Sequence, residues 1–374
     1  MPHLALNAHL LFGRASYRSA GIHQYIDNLL RHLPAAAPEF DFTVFVGAGQ
    51  PEMARGRLVR SRLPTDRPLV RILWEQCVQP WALWRARPDL LHGLAFALPV
   101  AYAGPAVVTV YDLSFWQLPE KFPPAQRLYL RASTSYAVRR ARRVLAISES
   151  GKADLIRRLK VPADHIDVAY PGVDARFRPR PAAEAAAFRA RQGLPERFIL
   201  YLGTLEPRKN LGTLVAAFAR MRAAQPDLRL VIAGAKGWLY AELFRQVERL
   251  GLQEAVLFPG FVPADDLPLW YNAAAAFAYP SSLEGFGLPV VEALACGRPV
   301  VTSNVSSLPE AAGDAALTVA PNDVDALAAA LGQALAAGPD LGARGPAQAA
   351  RFTWAATAAR TADTYRLALA AHRR

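Results

Sequence analysis

Residues 280–297 read PSSLEGFGLPVVEALACG. Gly285 and Gly287 break the chain directly before an apolar run with helical spacing, so we predict a tight turn that opens into a helix. Pro289 suits the first helical turn, where its missing N–H costs nothing. The free N–H groups and partial positive charge of a helix start favour an anion such as phosphate. This run therefore predicts an anion site on a strand–turn–helix unit.

Two glutamates, Glu284 and Glu292, flank the predicted turn. Glu284 precedes the helix and Glu292 is predicted in or near its first turn, so each carboxylate would meet a different part of a ligand held there. Gly-x-Gly alone often marks only a turn, and early glutamates often only complement the helix dipole. The functional interpretation fits a ligand with a central diphosphate and hydroxyls at both ends, as in a nucleotide sugar.

Two cations follow another glycine turn in residues 201–211, which read YLGTLEPRKNL. A strand is predicted to end at Gly203, and Arg208 and Lys209 stand directly before a helix. Arginine binds phosphate bidentately and lysine supplies a compact charge. Two cations oppose the dipole at a helix start, and this mismatch favours a phosphate site over a solvated helix end. Such cations would stabilise a leaving diphosphate without a metal ion.

Short apolar, β-branched runs alternate with helical patterns along the whole chain. The alternation predicts an α/β protein with parallel doubly wound sheets, and two sets of about six strands favour two Rossmann-like domains. We expect ligands beyond the carboxyl ends of the strands. The predicted strands are 4–7, 43–46, 89–92, 106–111, 144–147, 166–169, 198–202, 228–233, 256–258, 276–279, 299–302 and 316–319.

The two runs resemble the E-x7-E and G-x-x-x-x-R-K-N motifs of retaining GT-B glycosyltransferases of family 4. The resemblance covers nearly the whole chain and is strongest over residues 198–312. It implies that Glu284 faces the donor sugar and that Glu292 binds the ribose hydroxyls. It also implies that Arg208 and Lys209 contact the donor phosphates.

Further donor contacts are implied through the backbone. Gly21, in a loop before the first helix, matches a family glycine near the donor phosphates, and the loop after strand 256–258 matches the one that meets the nucleobase. The donor-binding residues expected in addition to the charged ones are Gly21, Gly203, Phe261, Val262, Gly285, Phe286, Gly287 and Leu288.

One departure from the family lies in residues 109–115, which read TVYDLSF. Tyr111 stands where the family usually has histidine, and tyrosine does not titrate near neutral pH. Either the role at this position is a backbone one or the contact with the sugar differs. Asp112 keeps the family position and would orient an acceptor hydroxyl, although an aspartate after a strand often only caps a turn. Both join Glu284, Arg208 and Lys209 as candidate catalytic residues.

The composition is globular, with 52% hydrophobic and 20% charged residues, and no apolar run reaches the length of a membrane span. The N-terminus resembles a strand and not a signal peptide. Cys77 and Cys296 lie far apart and are expected to be free thiols. We therefore expect a cytoplasmic protein, with peripheral contact at the inner face of the cell membrane as an open alternative.

The net charge of +12 favours polyanionic partners. Arginines are predicted to crowd one helix over residues 127–143, which would lie at a membrane interface or form a solvated face. Residues 73–76, which read LWEQ, and the pair Trp81 and Trp84 suggest an acceptor groove or an interfacial patch, but a buried amphipathic helix is the favoured interpretation. The six arginines of the predicted basic helix are Arg127, Arg131, Arg139, Arg140, Arg142 and Arg143.

The resemblance implies two Rossmann-like domains facing each other across a cleft. We predict an acceptor-side domain over residues 1–178 and a nucleotide-sugar-binding domain over 190–352. The boundary falls near the prolines of 176–181, and the segment 353–374 would form a helix that crosses back to the first domain.

The expected enzyme moves a hexose, with retention, from a donor of the GDP-mannose or UDP-glucose type. The acceptor is expected to be a hydroxyl of a glycan or lipid-linked glycan in cell-surface polysaccharide synthesis. No cofactor or metal is expected. Asp323 and Asp325 superficially resemble a D-x-D metal motif, but a helix cap explains them better.

Two other classes of function are weighed against this one. A nicotinamide oxidoreductase needs Gly-x-Gly-x-x-Gly after the first strand, and residues 10–14 read LLFGR. A polyanion-binding protein without catalysis would explain the charge but leaves Glu284 and Glu292 unexplained within a phosphate site. Nucleic acid is not an expected partner.

Overall fold

The computed structural model describes residues 1–11, 21–47, 51, 53, 55–237 and 240–370. Contacts within the chain divide it into two compact units. The first unit comprises residues 1–172 together with 353–374, and the second comprises residues 173–352.

The elements alternate between strands and helices. The strands are β1 His3–Asn7, β2 Asp41–Val46, β3 Arg57–Arg60, β4 Leu90–Gly93, β5 Ala106–Val110, β6 Arg143–Ala146, β7 Ile166–Val168, β8 Phe198–Leu202, β9 Arg229–Ala233, β10 Val256–Gly260, β11 Ala276–Tyr279, β12 Val300–Ser303 and β13 Leu317–Val319. The helices are α1 Ile22–Ala36, α2 Pro68–Leu73, α3 Gln79–Ala86, α4 Ser114–Gln117, α5 Pro124–Arg140, α6 Glu149–Leu159, α7 Ala182–Gln192, α8 Leu211–Arg222, α9 Ala241–Arg249, α10 Leu267–Ala273, α11 Leu288–Ala295, α12 Leu308–Ala312, α13 Val324–Ala337, α14 Pro339–Gly342, α15 Gly345–Ala349 and α16 Trp354–Ala370. A π-helical turn, Trp74–Val78, joins α2 to α3.

A parallel sheet of seven strands forms the centre of the first unit, in the order β3-β2-β1-β4-β5-β6-β7. Its central strands are buried along their length, as expected for a parallel sheet covered on both faces. Helix α16 packs against α1, where the Trp354 and Tyr25 rings meet edge to face at 5.8 Å. His92 on β4 links Tyr365 of α16 to Thr109 of β5 through hydrogen bonds of 2.7 and 2.8 Å. The last helix of the chain is thus part of the first unit's core.

The second unit has a parallel sheet of six strands in the order β10-β9-β8-β11-β12-β13. Strand β8 lies between β9, which follows it in sequence, and β11, which comes much later. The strand order reverses at this point, so a crevice is expected beyond the carboxyl ends of β8 and β11. The sequence-distant loops 203–210 and 280–287 begin there.

The predicted fold class, parallel doubly wound α/β sheets in two Rossmann-like domains, is confirmed. Each predicted strand overlaps an observed one. Strand β3 was not predicted, because its sequence RLVR carries two arginines and lies largely exposed at a sheet edge. An edge strand lacks the buried apolar run that marks the others.

The predicted basic helix is shorter than expected. Helix α5 ends at Arg140, Ala141 is extended, and Arg143 is the first residue of β6. The prediction that all six arginines crowd one helix is therefore wrong for Arg142 and Arg143. Arg143 binds Asp167 bidentately, at 2.5 and 2.6 Å, because it lies two positions before Leu145, the residue opposite Asp167 on the neighbouring strand, and so shares a face of the sheet with that position. The helix is shorter than predicted because the chain must turn into β6, whose apolar run VLA follows Arg143.

The favoured interpretation of Trp81 and Trp84 is also wrong. Their side chains are 57% and 69% exposed, while Trp74 and Leu83 on the same helical segment are buried. Helical spacing alone does not tell which apolar face packs inward. Among the residues described here, no helix is both long and apolar enough to cross a membrane.

Candidate functional site

Two loops of the second unit meet at the reversal of strand order. Strands β8 and β11 pair in parallel, with Leu200 opposite Phe277, so their following loops leave the same edge of the sheet. The first loop carries Arg208 and Lys209, and the second carries Glu284. The Ser282 N–H donates to the Arg208 carbonyl oxygen at 2.8 Å, which fixes the two loops to each other.

Glu284 binds both cations at once. Its Oε2 lies 2.9 Å from Arg208 Nη1 and its Oε1 lies 2.6 Å from Lys209 Nζ. The Glu284 side chain is only 8% exposed. Burial alone would raise the pKa of Glu284, but the charges of Arg208 and Lys209 outweigh it and lower the pKa to about 2. Glu284 is therefore a carboxylate at every physiological pH.

Lys209 is buried between this carboxylate and an aromatic pair. Its Nζ donates to Tyr279 Oη at 2.7 Å and lies 5.0 Å from the centre of that ring. Tyr279 stacks on Tyr201 with ring centres 5.7 Å apart. Burial and the Arg208 charge lower the pKa of Lys209, while Glu284 acts in the opposite direction. The tyrosines were not predicted as site residues, although each lies near the end of a predicted strand.

Arg208 has a second carboxylate partner. Its Nε lies 2.5 Å from Glu206 Oε1, and its Nη1 also donates to the Leu283 carbonyl oxygen at 3.1 Å. Arg208 and Lys209 thus face Glu206 and Glu284, and the formal charges of the four groups cancel. This arrangement fixes two cations at a strand end at little net electrostatic cost.

The glycine turn after Glu284 is held rigidly. Gly287 has a φ of 108° and precedes α11, and a Cβ there would lie 2.9 Å from Leu308 Cδ2, so the position requires glycine. Ser306 Oγ accepts the Glu284 N–H at 3.0 Å. Ser307 Oγ lies 2.9 Å from the Glu284 carbonyl oxygen and 3.0 Å from that of Phe286.

The predicted backbone role of Gly285, Phe286, Gly287 and Leu288 fits this geometry. The Phe286 side chain is buried and packs edge to face against Phe352 at 5.1 Å, so only its backbone is offered at the turn. Leu288 begins α11, Pro289 has no N–H, and the N–H groups of Val290 and Val291 donate to the Gly287 carbonyl oxygen at 2.9 and 3.3 Å, so the helix start offers an anion the N–H of Leu288. The start of α11 is therefore suited to an anion.

Glu292 lies directly after the first turn of α11, as predicted from the sequence. The helix begins at Leu288, so Glu292 is its fifth residue. Tyr271 Oη donates to Glu292 Oε2 at 2.8 Å. Burial raises the pKa of Glu292 to about 7, although the Tyr271 hydrogen bond and the Arg176 charge oppose this. Tyr271 was not predicted to take part in the site.

Tyr111 and Asp112 lie in the first unit, after β5. Tyr111 is buried, its hydroxyl donates to the Leu94 carbonyl oxygen at 2.8 Å, and burial raises its pKa well above the usual value. This hydroxyl is engaged within the unit, which favours the backbone alternative. Asp112 Oδ1 accepts the Ser114 N–H at 2.9 Å and its hydroxyl at 2.6 Å, as a turn cap does.

The other predicted donor-binding residues fall at loops. Gly21 is exposed directly before α1, and residues 12–20 lie outside the described part of the chain. Gly203 follows β8 with a φ of 153°, and a Cβ there would lie 2.7 Å from Tyr201 Oη. Phe261, after β10, is 49% exposed, whereas Val262 is buried.

Asp323 caps helix α13, as the sequence analysis favoured over a D-x-D metal motif. Its Oδ1 accepts the Ala326 N–H at 2.9 Å at the start of α13, and Asp325 forms an ion pair with Arg220. Within the described ranges, no group of three or more His, Cys, Asp or Glu residues is placed to hold a metal ion.

A buried polar cluster at the end of β1 escaped the sequence analysis. Asn7 Nδ2 lies 3.4 Å from Glu75 Oε1 and 3.3 Å from Gln79 Oε1. His9 Nδ1 lies 3.1 Å from Thr65 Oγ1, and burial, with the charge of a nearby arginine, lowers the pKa of His9 to about 3. Burial also raises the pKa of Glu75. These residues lie far apart in the sequence, so no short motif predicts the cluster.

Together, the two parallel sheets and the cations at the β8–β11 reversal define a GT-B fold with a candidate donor site. Residues 184–347 match the family model of glycosyl transferases group 1, and residues 19–177 match that of glycosyltransferase family 4. The chain is 37% identical over 295 residues to the O-antigen chain mannosyltransferase B of Escherichia coli, covering 77% of both proteins. The chain belongs to glycosyltransferase family 4, the group 1 glycosyltransferases, and is a glycosyltransferase.

Other relatives and solved structures agree with this assignment. A D-inositol 3-phosphate glycosyltransferase of Streptomyces scabiei is 36% identical over 254 residues, which are 63% of this chain and 56% of that protein. Sucrose-phosphate synthase from Thermosynechococcus elongatus superposes with a TM-score of 0.79 at 25% identity, covering 99% of this chain and 100% of the other. Anabaena HepE in complex with UDP and glucose shares the fold, with a TM-score of 0.75, 21% identity, and 98% and 99% coverage. Because the chain belongs to this family of enzymes, we reject the two other classes of function, the nicotinamide oxidoreductase and the polyanion-binding protein without catalysis.

Removing the Glu284 charge is expected to destabilise the protein. Glu284→Gln keeps the side-chain shape but leaves buried Lys209 without its carboxylate, so we expect a loss of about 3 kcal/mol in the free energy of unfolding. Urea unfolding of both proteins at neutral pH measures it. Glu242→Gln, which breaks an exposed ion pair with Arg249, is the matched control and should change nothing measurable. Equal stabilities of the two variants would contradict the role given to Glu284.

The raised pKa of Glu292 predicts a pH dependence of stability. The folded state holds this proton up to about pH 7, whereas the unfolded state loses it near 4.5, so stability falls as the pH rises between these values. We expect the wild type to lose up to about 3 kcal/mol relative to Glu292→Gln across that interval. Denaturant unfolding at several pH values tests this, and parallel pH profiles of the two proteins would contradict it.

Proposed function

We propose that this glycosyltransferase moves a mannosyl group from a nucleoside diphosphate sugar to a hydroxyl of a glycan in cell-surface polysaccharide synthesis. The observation that carries the proposal is the placement of Arg208 and Lys209, with Glu284 between them, at the carboxyl ends of β8 and β11. The relative named O-antigen chain mannosyltransferase B, 37% identical, supports mannose and polysaccharide synthesis.

The cations would act on the leaving group. As the bond between the sugar C1 and the diphosphate oxygen breaks, negative charge grows on that oxygen. Arg208 and Lys209 are fixed by their ion pairs before the reaction, so they stabilise this charge without reorganising. The N–H of Leu288, at the start of α11, adds a donor at the same edge of the sheet.

The reaction proposed is front-face substitution with retention. The acceptor hydroxyl oxygen forms a bond to C1 on the face that the diphosphate leaves, and the hydroxyl proton passes to the departing phosphate oxygen. Each bond formed is matched by one broken, and no added oxidant, reductant or metal is required. Glu284 would accept hydrogen bonds from the sugar hydroxyls while keeping its negative charge, because its pKa is about 2.

Glu292 would bind the ribose. Two ribose hydroxyls donate to a carboxylate and thereby favour its charged form. Since the pKa of Glu292 is about 7 before binding, donor binding near neutral pH is expected to release a proton. The hydroxyl of Tyr271 would hold the second carboxylate oxygen in place.

The acceptor would bind the first unit, beyond the carboxyl ends of its strands. Asp112 lies at the end of β5, and its carboxylate accepts hydrogen bonds from hydroxyls, as it does from Ser114. Hydroxyl-rich ligands are recognised by groups of this kind. A glucosyl donor of the UDP-glucose type is the second candidate, and Anabaena HepE, of the same fold, was solved in complex with UDP and glucose.

Donor binding should raise the melting temperature selectively. A ligand that binds only the folded state at about a hundred times its Kd adds about 2.7 kcal/mol of stability. We expect GDP-mannose to raise the Tm of the wild type more than UDP-glucose, GDP or UDP does. Arg208→Gln and Glu292→Gln should each abolish most of the shift, whereas Arg245→Gln, on the exposed face of α9, should preserve it.

Two outcomes would overturn parts of this proposal. A larger shift with UDP-glucose would replace the mannosyl donor but keep the site. Folded protein that no nucleotide sugar stabilises, or an unchanged shift in Arg208→Gln and Glu292→Gln, would reject the donor site itself.

Turnover is expected to be independent of divalent metal. Arg208 and Lys209 would donate hydrogen bonds to the departing diphosphate in place of a metal ion, so hexose transfer, assayed by nucleoside diphosphate release, should proceed unchanged in excess EDTA. A loss of transfer in EDTA that added Mg²⁺ restores would contradict this prediction.

A further inference from the structure

A stripe of exposed apolar side chains runs along the first unit. We name it the outer stripe, and it consists of Leu69, Leu73, Val78, Trp81 and Trp84. Four of these side chains are more than half exposed, at 75% for Leu69, 62% for Leu73, 57% for Trp81 and 69% for Trp84. Single exposed apolar residues need no explanation, but a contiguous group containing two tryptophans marks an interaction surface.

The stripe lies on one face because helix α2, the π-helical turn and α3 form one continuous segment over residues 68–86. The opposite face packs into the first unit through Trp74, Glu75, Gln79 and Leu83, all buried. The exposed residues recur three to five positions apart, as one side of such a helix requires. The inner face, which combines apolar and polar side chains, accounts for the packing of the segment, so the apolar outer stripe is not needed for it.

Val100 extends the stripe sideways. Its N–H donates to Gln76 Oε1 at 2.9 Å, which places it next to the π-helical turn, and its side chain is largely exposed. The exposed apolar surface thus extends beyond the helical segment to the loop between β4 and β5.

The surroundings of the stripe are basic. Residues 57–89 contain seven arginines and three acidic residues, and the only acid between residues 67 and 88 is Glu75, which is buried. Arg67, Arg85 and Arg87 are exposed at the two ends of the segment. The Arg85 guanidinium lies 4.8 Å from the centre of the Trp81 ring, so aromatic and cationic groups share one surface.

We propose that the outer stripe binds the surface of a membrane that contains anionic lipids. Tryptophan and leucine side chains enter the boundary between head groups and acyl chains, where an indole keeps its N–H in the polar layer. Arginines at the rim attract anionic head groups. The segment would lie in the plane of the interface and would not cross it.

The charge distinguishes this partner from a second copy of the chain. A symmetric dimer through the outer stripe would bring two arginine-rich surfaces together, and like charges at an interface are unfavourable. An anionic lipid surface instead neutralises the arginines. We favour residues 67–87 over residues 127–143 for a membrane contact, because Arg143 is bound to Asp167 and Arg131 to the Phe115 carbonyl oxygen.

Vesicle flotation tests the proposal without relying on enzyme activity. Wild-type protein is mixed with vesicles of phosphatidylcholine alone or with about one third phosphatidylglycerol. We expect binding to the mixed vesicles only, weakened by added salt. The double variant Trp81→Gln/Trp84→Gln should bind at least about tenfold less, because both indoles leave the interface. Leu250→Gln, an exposed apolar position in the second unit, is the matched control and should bind like the wild type.

Other outcomes would overturn the proposal. Wild-type protein that floats with neither vesicle, or a double variant that binds as well as the control, rejects the lipid surface. Sedimentation velocity of the same proteins covers the alternative partner, since a wild-type dimer that the double variant loses, without vesicle binding, assigns the stripe to a second copy. Unfolding curves should coincide for the two variants, because neither tryptophan is buried. A second double variant, Arg85→Gln/Arg87→Gln, should reduce binding mainly at low salt.

Discussion

The ion pairs of Glu284 are the constraint on which the donor site depends. A single buried carboxylate joins the loops that follow β8 and β11, two segments separated by more than seventy residues. Burying three charged groups is unfavourable unless each finds a partner, and here the chain supplies every partner from within the second unit. The parallel pairing of β8 with β11 makes this possible, since it places both loops at one edge of the sheet.

Two buried glutamates eight positions apart behave in opposite ways because their surroundings differ. Glu284 is surrounded by cations and stays ionised, with its pKa near 2, whereas Glu292 meets mainly a tyrosine hydroxyl and has a pKa near 7. The first carboxylate supplies a constant charge, and the second responds to whatever binds it. The two glutamates of the motif thus differ in their protonation behaviour, although their residue type is the same.

Sequence patterns predicted what repeats along the chain and missed what depends on three-dimensional neighbours. The apolar runs of the central strands were recognisable because parallel strands are buried on both faces. Strand β3, with the sequence RLVR, lies at an edge and has no such run. The charged residues Lys209 and Glu292 were found through their motifs, but Tyr279, which binds Lys209, and Tyr271, which binds Glu292, were not. Trp81 and Trp84 were placed on the wrong side, since periodicity gives a face but not its direction.

Helix α16 has a consequence for the order in which the protein is made. It packs on α1 and supplies Tyr365 to His92, so the first unit lacks part of its core until residues 354–370 have been synthesised. The second unit, residues 173–352, is complete in sequence before that helix is synthesised. During translation the first unit therefore begins to emerge before the second unit but is completed after it. Before α16 is synthesised, Tyr25 lacks its contact with Trp354 and His92 lacks its hydrogen bond to Tyr365, so both remain open to water or to a chaperone.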